Sequence, residues 1–262
     1  MTDKRPIGSA NLSRRSFLRA GGVVAASVPL AGCFDFVGDS ESKVRGVLEY
    51  ANSLTYRVQR FMLNADALAR EYEPSDIRQP QRPNGSTNPQ DADYKSLAAN
   101  NFADWRLEVT GLVNTPLSLS LDALRDMPAR TQITRHDCVE GWSCIAQWTG
   151  PKLSDVLARA GVQDRARFVV FDCYDSLGLS KYYESIDMAD ALHPQTILAH
   201  GLNGEALPIS NGAPVRVRIE RQLGYKMAKY LRRITVTETL DDFGGGAGGY
   251  WEDRGYEWYA GI

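Results

Sequence analysis

Long apolar runs are missing from this 262-residue chain, and histidine (three residues) and cysteine (four) are scarce. No stretch reaches the ~18–20 consecutive apolar residues that a spanning helix needs, so the mature chain is expected to be soluble or anchored, not integral. So few His and Cys, widely scattered, make an ordinary zinc cage a poor expectation. An excess of either charge is also absent. Lys and Arg total 30 against 32 acidic residues, for a net charge of −2. A nucleic-acid binder would show a basic surplus or stripe, and none is present. No internal repeat emerges. What remains is 43% hydrophobic, 24% charged and 10% aromatic residues. That is globular composition, with length enough for one large domain.

The first residues read as an address. Arg14-Arg15 followed by Ser16-Phe17-Leu18 precedes the apolar stretch 20–32, a positive region and a short hydrophobic region in export-signal order. The paired arginines match the twin-arginine signal, the route for proteins exported already folded. Leu30-Ala31-Gly32-Cys33 has the form of a bacterial lipobox, so Cys33 is expected to carry a lipid anchor and to begin the mature chain in the periplasm. Cutting there removes five basic residues and Asp3, which moves the net charge from −2 to −6. With Cys33 acylated, Cys138, Cys144 and Cys173 remain. An odd number in an oxidising compartment leaves at least one free thiol or metal ligand.

We read three parts: 1–32 as the signal, 33–77 as a helical extension and 78–262 as the main domain. Residues 34–75 space Val47, Leu54, Val58 and Phe61 as one or two amphipathic helices. Pro74, Pro80, Pro83 and Pro89 make 74–96 irregular, and a long irregular segment in a compact domain is often functional. Strands are expected at 105–113, 131–137, 167–173 and 234–239, and a half-buried one at 215–220, where Val215, Val217 and Ile219 alternate with Arg216, Arg218 and Glu220. Asn203-Gly204 suits the turn of a hairpin between 196–202 and 205–209. Ser120 should cap a short helix through Arg125, and Gly161 should end a helix over 153–160. Many strands and few scattered helices indicate an α+β fold, mostly β, in one domain, not a doubly wound sheet.

Three segments carry chemistry. His136-Asp137-Cys138 with Cys144 offers soft and imidazole ligands; a Cys–His nucleophile has no distinctive context here, and Cys144 and Cys173 read first as buried small hydrophobes. Asn211-Gly212-Ala213-Pro214-Val215-Arg216 sets turn residues beside a guanidinium. Gly224-Tyr225-Lys226-Met227-Ala228-Lys229 does the same with ammoniums, and such groups hold phosphate. Gly244, Gly246 and Gly249 spell G-x-G-x-x-G. No strand–turn–helix unit can follow in the 13 residues left, so we expect a flexible loop, not a dinucleotide site.

Taken in order, Arg135 to Trp142, Asn211 to Arg216 and Gly224 to Lys229 resemble the molybdopterin-binding domain of the sulfite oxidase family, over roughly 78–262. The resemblance implies a molybdopterin cofactor whose molybdenum is ligated by one cysteine thiolate, at Cys138. It implies contacts to the pterin from Asn84, His136, Cys173, Asn211, Arg216, Lys226 and Lys229, and it accounts for both the odd cysteine and folded export. Where sulfite oxidases follow their cysteine with arginines, this chain has Val139-Glu140-Gly141-Trp142-Ser143. Cys-Val-Glu-x-Trp-Ser is similar to the branch of periplasmic protein-methionine-sulfoxide reductase catalytic subunits. That branch implies oxygen-atom transfer from an S-oxide or N-oxide, with Glu140 as proton donor. Trp142 and Trp148 are candidates for pocket walls or core. Electrons would come from a partner, such as a membrane cytochrome. The alternatives are sulfite-type oxidation passing electrons to a cytochrome, and a cofactor-free exported binding protein, for which a Cys138–Cys144 disulfide would speak.

Overall fold

The computed structural model describes residues 43–62 and 67–262. The signal, the lipobox and Cys33 lie outside the described residues. The chain divides into two units at Gly46; apart from the first turn of its leading helix, every described element belongs to the unit Val47–Ile262. Among the described residues no helix is long and apolar enough to cross a membrane.

Helix α1, Lys43–Met62, precedes an irregular stretch that begins at Ala67 and includes one helical turn at Pro74–Asp76. Helix α2 is Ala92–Ala99, where the Asp91 carboxylate accepts the Tyr94 N–H as an N-cap. A five-stranded sheet carries most of the core. Its strands are β1 (Arg106–Gly111), β2 (Leu117–Ser120), β5 (Phe168–Leu177), β6 (Ser180–Asp187) and β11 (Leu231–Thr237), in the order β2-β1-β11-β5-β6. Only β1 and β11 run parallel; the other pairings are antiparallel. A second sheet orders β3 (Ala129–Cys138), β4 (Trp142–Pro151), β8 (Gly201–Leu202) and β9 (Glu205–Ala206), and β7 (Ile197–Ala199) pairs β10 (Arg216–Arg218).

Helices α3 (Leu121–Arg125), α4 (Leu153–Ala160) and α5 (Met188–Ala191) are short. Ser120 caps α3 by accepting the Ala123 N–H, and Gly161, with φ +68°, ends α4, as the sequence predicts. Leu153, Val156, Leu157 and Ala160 bury one face of α4, the i, i+3, i+4, i+7 pattern of a core-facing helix. Burying each large aliphatic side chain contributes about 1.5–3 kcal/mol.

The architecture is the expected α+β, mostly antiparallel. Three local expectations change. The hairpin shrinks to β8 and β9 around Asn203 (φ +52°) and Gly204 (φ +84°), while β7 leaves to pair with β10. The segment 215–220 is not half-buried: Arg216 and Arg218 are 1% and 0% exposed, because its polar face turns into the protein. The glycine-rich loop, exposed over Gly244, Gly245 and Ala247 and buried at Gly248 and Gly249, is tied down by hydrogen bonds. Gly245 and Ala247 donate N–H groups to the Asp253 carboxylate at 2.8 and 3.1 Å.

Candidate functional site

Antiparallel pairing of β3 with β4 runs unbroken from Ala129–Pro151 to Cys138–Trp142, so Cys138 lies at the tip of a long hairpin. The turn is tight, with the Gly141 N–H donating to Cys138 O at 3.0 Å. Asp137 steadies it from behind by accepting the Ser143 hydroxyl and the Arg135 guanidinium. The Trp142 indole N–H donates to the Glu140 carboxylate at 2.8 Å, which folds that side chain against the turn. Cys138, Cys144 and Cys173 are all free thiols, and Cys144 is buried, so the disulfide that would favour a cofactor-free binding protein is not formed.

Cys138 and Glu140 face a cleft whose other walls include Asn84, Ser86, Asp175 and Lys229. Its outer wall is apolar and aromatic, with Leu177, Tyr225, Met227, Trp251 and Tyr256. Trp251 and Tyr256 stack with ring centroids 5.1 Å apart, and Tyr256 meets Tyr225 edge-on at 5.4 Å. Burial pushes the Cys138 thiol above its usual range.

Two buried cations sit at the cleft, Lys229 on its wall and Arg216 behind it. The Arg216 guanidinium donates to the carbonyls of Asn211 (3.0 Å) and Met227 (3.3 Å) and to the Asn84 amide oxygen (3.3 Å). The Lys229 ammonium donates to the carbonyls of Ser86 and Ser210. Gly212 passes between the two stems at φ +114°; a Cβ there would stand 3.0 Å from Lys229 Cβ and 3.2 Å from Arg216 Cβ, which explains the glycine in the Asn211–Arg216 segment. Among the described residues neither cation has an ion-pair partner. Burial, and then the neighbouring Arg218, lower the Arg216 pKa to about 9; burial, and then Arg216, lower that of Lys229 to about 7. Asp175 offsets Lys229 only through space and Glu220 does the same for Arg216, so the buried positive charge is incompletely compensated, which is costly and calls for an anion.

The second arginine of β10 is satisfied. Arg218 forms a fully buried bidentate pair with Glu220 and donates to His136 Nδ1 at 2.9 Å. A guanidinium only donates, so His136 Nδ1 accepts and the proton sits on Nε2. Burial, with Arg218, Arg216 and Lys229 nearby, holds His136 well below its usual pKa, hence neutral. Its Nε2 has no partner and lies against the turn Gly224–Lys226, where a Cβ on Gly224 would stand 2.4 Å from it. Gly224 is therefore the residue that lets the hairpin dock on this turn.

The sequence-predicted residues divide accordingly. Cys138, Glu140, Asn84 and Lys229 line the cleft; Arg216 and Asn211 lie directly behind it, with Asn211 Nδ2 buried and unpartnered. Cys173 is 3% exposed and reaches the cleft only through Lys229, whose backbone N–H points at its sulfur. Lys226 is a correction. It is fully buried and clamped between Glu184 and Glu252 (2.5 Å), pointing away from the cleft, so its charge is already neutralised. Trp148 is core, wedged against Arg216 and Arg218 at 5.1 and 4.4 Å from its ring centre, whereas Trp142 packs under Arg82 near the hairpin tip.

Sequence reasoning did not find Asp175 or Ser86. Asp175 is 4% exposed, accepts the Ser86 hydroxyl at 2.5 Å and leaves Oδ1 unpartnered; burial raises its pKa. An acidic residue inside the apolar run of β5 was the available signal. Among the described residues no cluster of three or more His, Cys, Asp or Glu side chains could hold a metal alone. A metal brought by a larger ligand fits this donor set better. One soft thiolate donor at Cys138, two buried cations without ion-pair partners for a phosphate, and orphaned Asn211 Nδ2 and Asp175 Oδ1 for pterin polar atoms match a molybdopterin.

Comparison with known proteins agrees. The oxidoreductase molybdopterin binding domain matches residues 94–242. The chain is 37% identical over 249 residues to the putative protein-methionine-sulfoxide reductase subunit YedZ1 of Azospira oryzae, covering 95% of this chain and 88% of that one. It is 39% identical over 145 residues to the protein-methionine-sulfoxide reductase catalytic subunit MsrP of Ralstonia nicotianae, covering 51% of this chain and 44% of that one. The chain thus spans less than half the length of that MsrP relative. The sulfane dehydrogenase SoxCD of Paracoccus pantotrophus aligns over 52% of this chain and 39% of its own, with 25% identity and a TM-score of 0.49.

Proposed function

Because the chain belongs to the oxidoreductase molybdopterin-binding domain family, we propose that it is an exported reductase of neutral S-oxides, with the cofactor seated in the Cys138 cleft. The observation that carries this reading is the convergence of the Cys138 thiol with Lys229 and Arg216, two buried cations facing only neutral acceptors. When bound, the molybdopterin supplies two-electron chemistry coupled to exchange of one oxygen atom. In this assignment Cys138 is the metal ligand. Arg216, Lys229 and Asn211 hold the phosphate and pterin, Asn84 orients Arg216, and His136 supports the turn beneath them.

The cleft wall supports the choice of substrate. Among the described residues lining the cleft Lys229 is the one cation, and in this assignment the cofactor phosphate takes it up, while Glu140 and Asp175 contribute acidic groups. An anion such as sulfite would be repelled there, whereas a neutral sulfoxide with an apolar body fits the aromatic wall. Reduction of a sulfoxide to a sulfide consumes two electrons and two protons and releases water. Glu140, on the cleft wall, is placed to relay those protons. The electrons come from outside the chain, and we assign that role to a membrane-bound cytochrome. Supporting that placement are Arg14-Arg15 and the lipobox ending at Cys33, which mark an exported chain, lipid-anchored in the periplasm, with residues 78–262 as its catalytic domain.

Two assays on the loaded protein decide the direction. With a reduced viologen as donor, methionine sulfoxide and dimethyl sulfoxide should be turned over. With ferricyanide as acceptor, sulfite should be oxidised far more slowly. Faster sulfite oxidation would replace this reading with the sulfite-oxidase one.

A further inference from the structure

Helix α1 is mounted with its polar side inward. Asn52 donates to Glu257 at 2.8 Å, Tyr56 donates to Asp187 at 2.8 Å, and Gln59 accepts the Tyr259 hydroxyl at 2.7 Å. Arg60 bridges Asp187 and Asp190 at 2.9 and 2.8 Å. Those bonds fix the rotation of the helix about its axis. The opposite side is then a line of exposed apolar residues: Val47 (67% exposed), Tyr50 (70%), Leu54 (51%), Val58 (45%) and Phe61 (91%). Their spacing of three and four residues sets them on one stripe, about 21 Å long at 1.5 Å per residue. A surface helix of a globular protein normally buries this side. A contiguous exposed stripe marks a surface that is covered by something else.

We infer that this stripe lies on the lipid surface of the membrane. The choice of occupant rests on the reading of the chain as lipidated at Cys33. That cysteine is ten residues before Lys43. Ten residues span at most ~35 Å fully extended, so an acylated Cys33 keeps α1 beside the bilayer. The composition of the helix fits a headgroup region. Tyr50 and Phe61 are interfacial anchors, and Arg57, exposed beside the stripe, supplies a cation for headgroup phosphates. A helix of this kind sinks its apolar side ~5–10 Å into the headgroup boundary and favours anionic lipid. Its inward contacts reach Glu257 and Tyr259, a few residues beyond Trp251 and Tyr256 of the cleft wall. Seating α1 on the bilayer thereby sets how the cleft stands over the membrane.

The test uses residues 34–262, cofactor-loaded and without the lipidated cysteine, floated with vesicles of phosphatidylethanolamine and phosphatidylglycerol. The chain should float, and a triple variant, Leu54→Gln with Val58→Gln and Phe61→Gln, should lose at least 10-fold in partitioning at unchanged molybdenum content and melting temperature. In a Phe61→Trp variant the emission should shift to shorter wavelength on adding vesicles and be quenched by brominated lipid. Equal flotation of the triple variant, or no flotation of the parent, would overturn the inference. So would a vesicle-independent dimer, seen by light scattering and lost in the triple variant, which would make the stripe a contact between copies. Mass spectrometry of the full-length product separates the two readings: an unacylated Cys33 beside a parent that floats defeats the anchor reading and leaves this one standing.

Discussion

Replacing Lys229 with Met removes an ammonium that the protein holds at a cost. Its pKa falls from the usual 10.5 to about 7 through burial and the nearby Arg216. At 1.36 kcal/mol per unit, holding the charge in the cofactor-free protein costs about 5 kcal/mol of stability below pH 7. The sign follows from linkage. A base whose folded pKa lies below its unfolded value costs stability in full below the folded pKa, and the cost fades as the pH rises from about 7 towards 10.5. Against this, the variant strands the Ser210 carbonyl, whereas that of Ser86 keeps the Tyr230 hydroxyl, and the one lost partner returns roughly 1–3 kcal/mol. The cofactor-free variant should therefore be more stable than the parent by about 2–4 kcal/mol at pH 6–7, or roughly 5–10 °C in Tm, and the advantage should shrink towards pH 9. In the loaded protein the sign reverses, because a phosphate loses its cation. Guanidinium denaturation of protein from pterin-competent and pterin-deficient hosts, at pH 6 to 9, reads both arms. Equal destabilisation of both forms by Lys229→Met would refute the idea that this cation awaits an anion.

Other substitutions probe separate links. Gly224→Ala would drive a Cβ to 2.4 Å from the His136 ring, so it should destabilise the protein by about 1–3 kcal/mol and lower its molybdenum content, measured by chemical denaturation and metal analysis. Trp251→Ala should raise KM for methyl sulfoxides about 10-fold with kcat little changed, since it removes an aromatic face from the cleft wall and leaves Cys138 in place. Burial alone would raise the pKa of Asp190, but hydrogen bonds from Arg60, Arg221 and Gln222 hold it below the usual carboxylate value. The stability this carboxylate contributes is present above its unfolded pKa and lost as the pH falls through the folded one. In Arg60→Met the urea midpoint should accordingly begin to drop at a higher pH than in the parent.

Local signals in the sequence singled out Cys138, Asn211, Arg216 and Lys229, which the fold brings to one cleft and its back wall, because each sits at a strand end or beside a glycine turn whose chemistry is written in adjacent residues. Lys226 and Lys229 show where that kind of reading stops. Three residues apart on one segment, they look interchangeable, yet Glu184 and Glu252 from remote parts of the chain neutralise the first, while the second hydrogen-bonds only to carbonyls. Which cation is free depends on long-range pairing. The same holds for β10, whose alternation suggested a solvent face; the fold turns its arginines inward, one onto Glu220 and one towards the cleft. Helix α1 was legible as an amphipathic helix, but not the direction its apolar side faces, since Asp187 and Asp190, which anchor Arg60, lie over a hundred residues away.

The central claim is that a molybdopterin sits in the Cys138 cleft, and its most direct test is the molybdenum and pterin content of the folded protein beside a Cys138→Ser variant. We predict about one metal per chain in the parent, lost in the variant, with the Ser side chain leaving the fold and the Arg216–Lys229 site intact. A metal-free parent from a pterin-competent host, or full metal retention in Cys138→Ser, would contradict it.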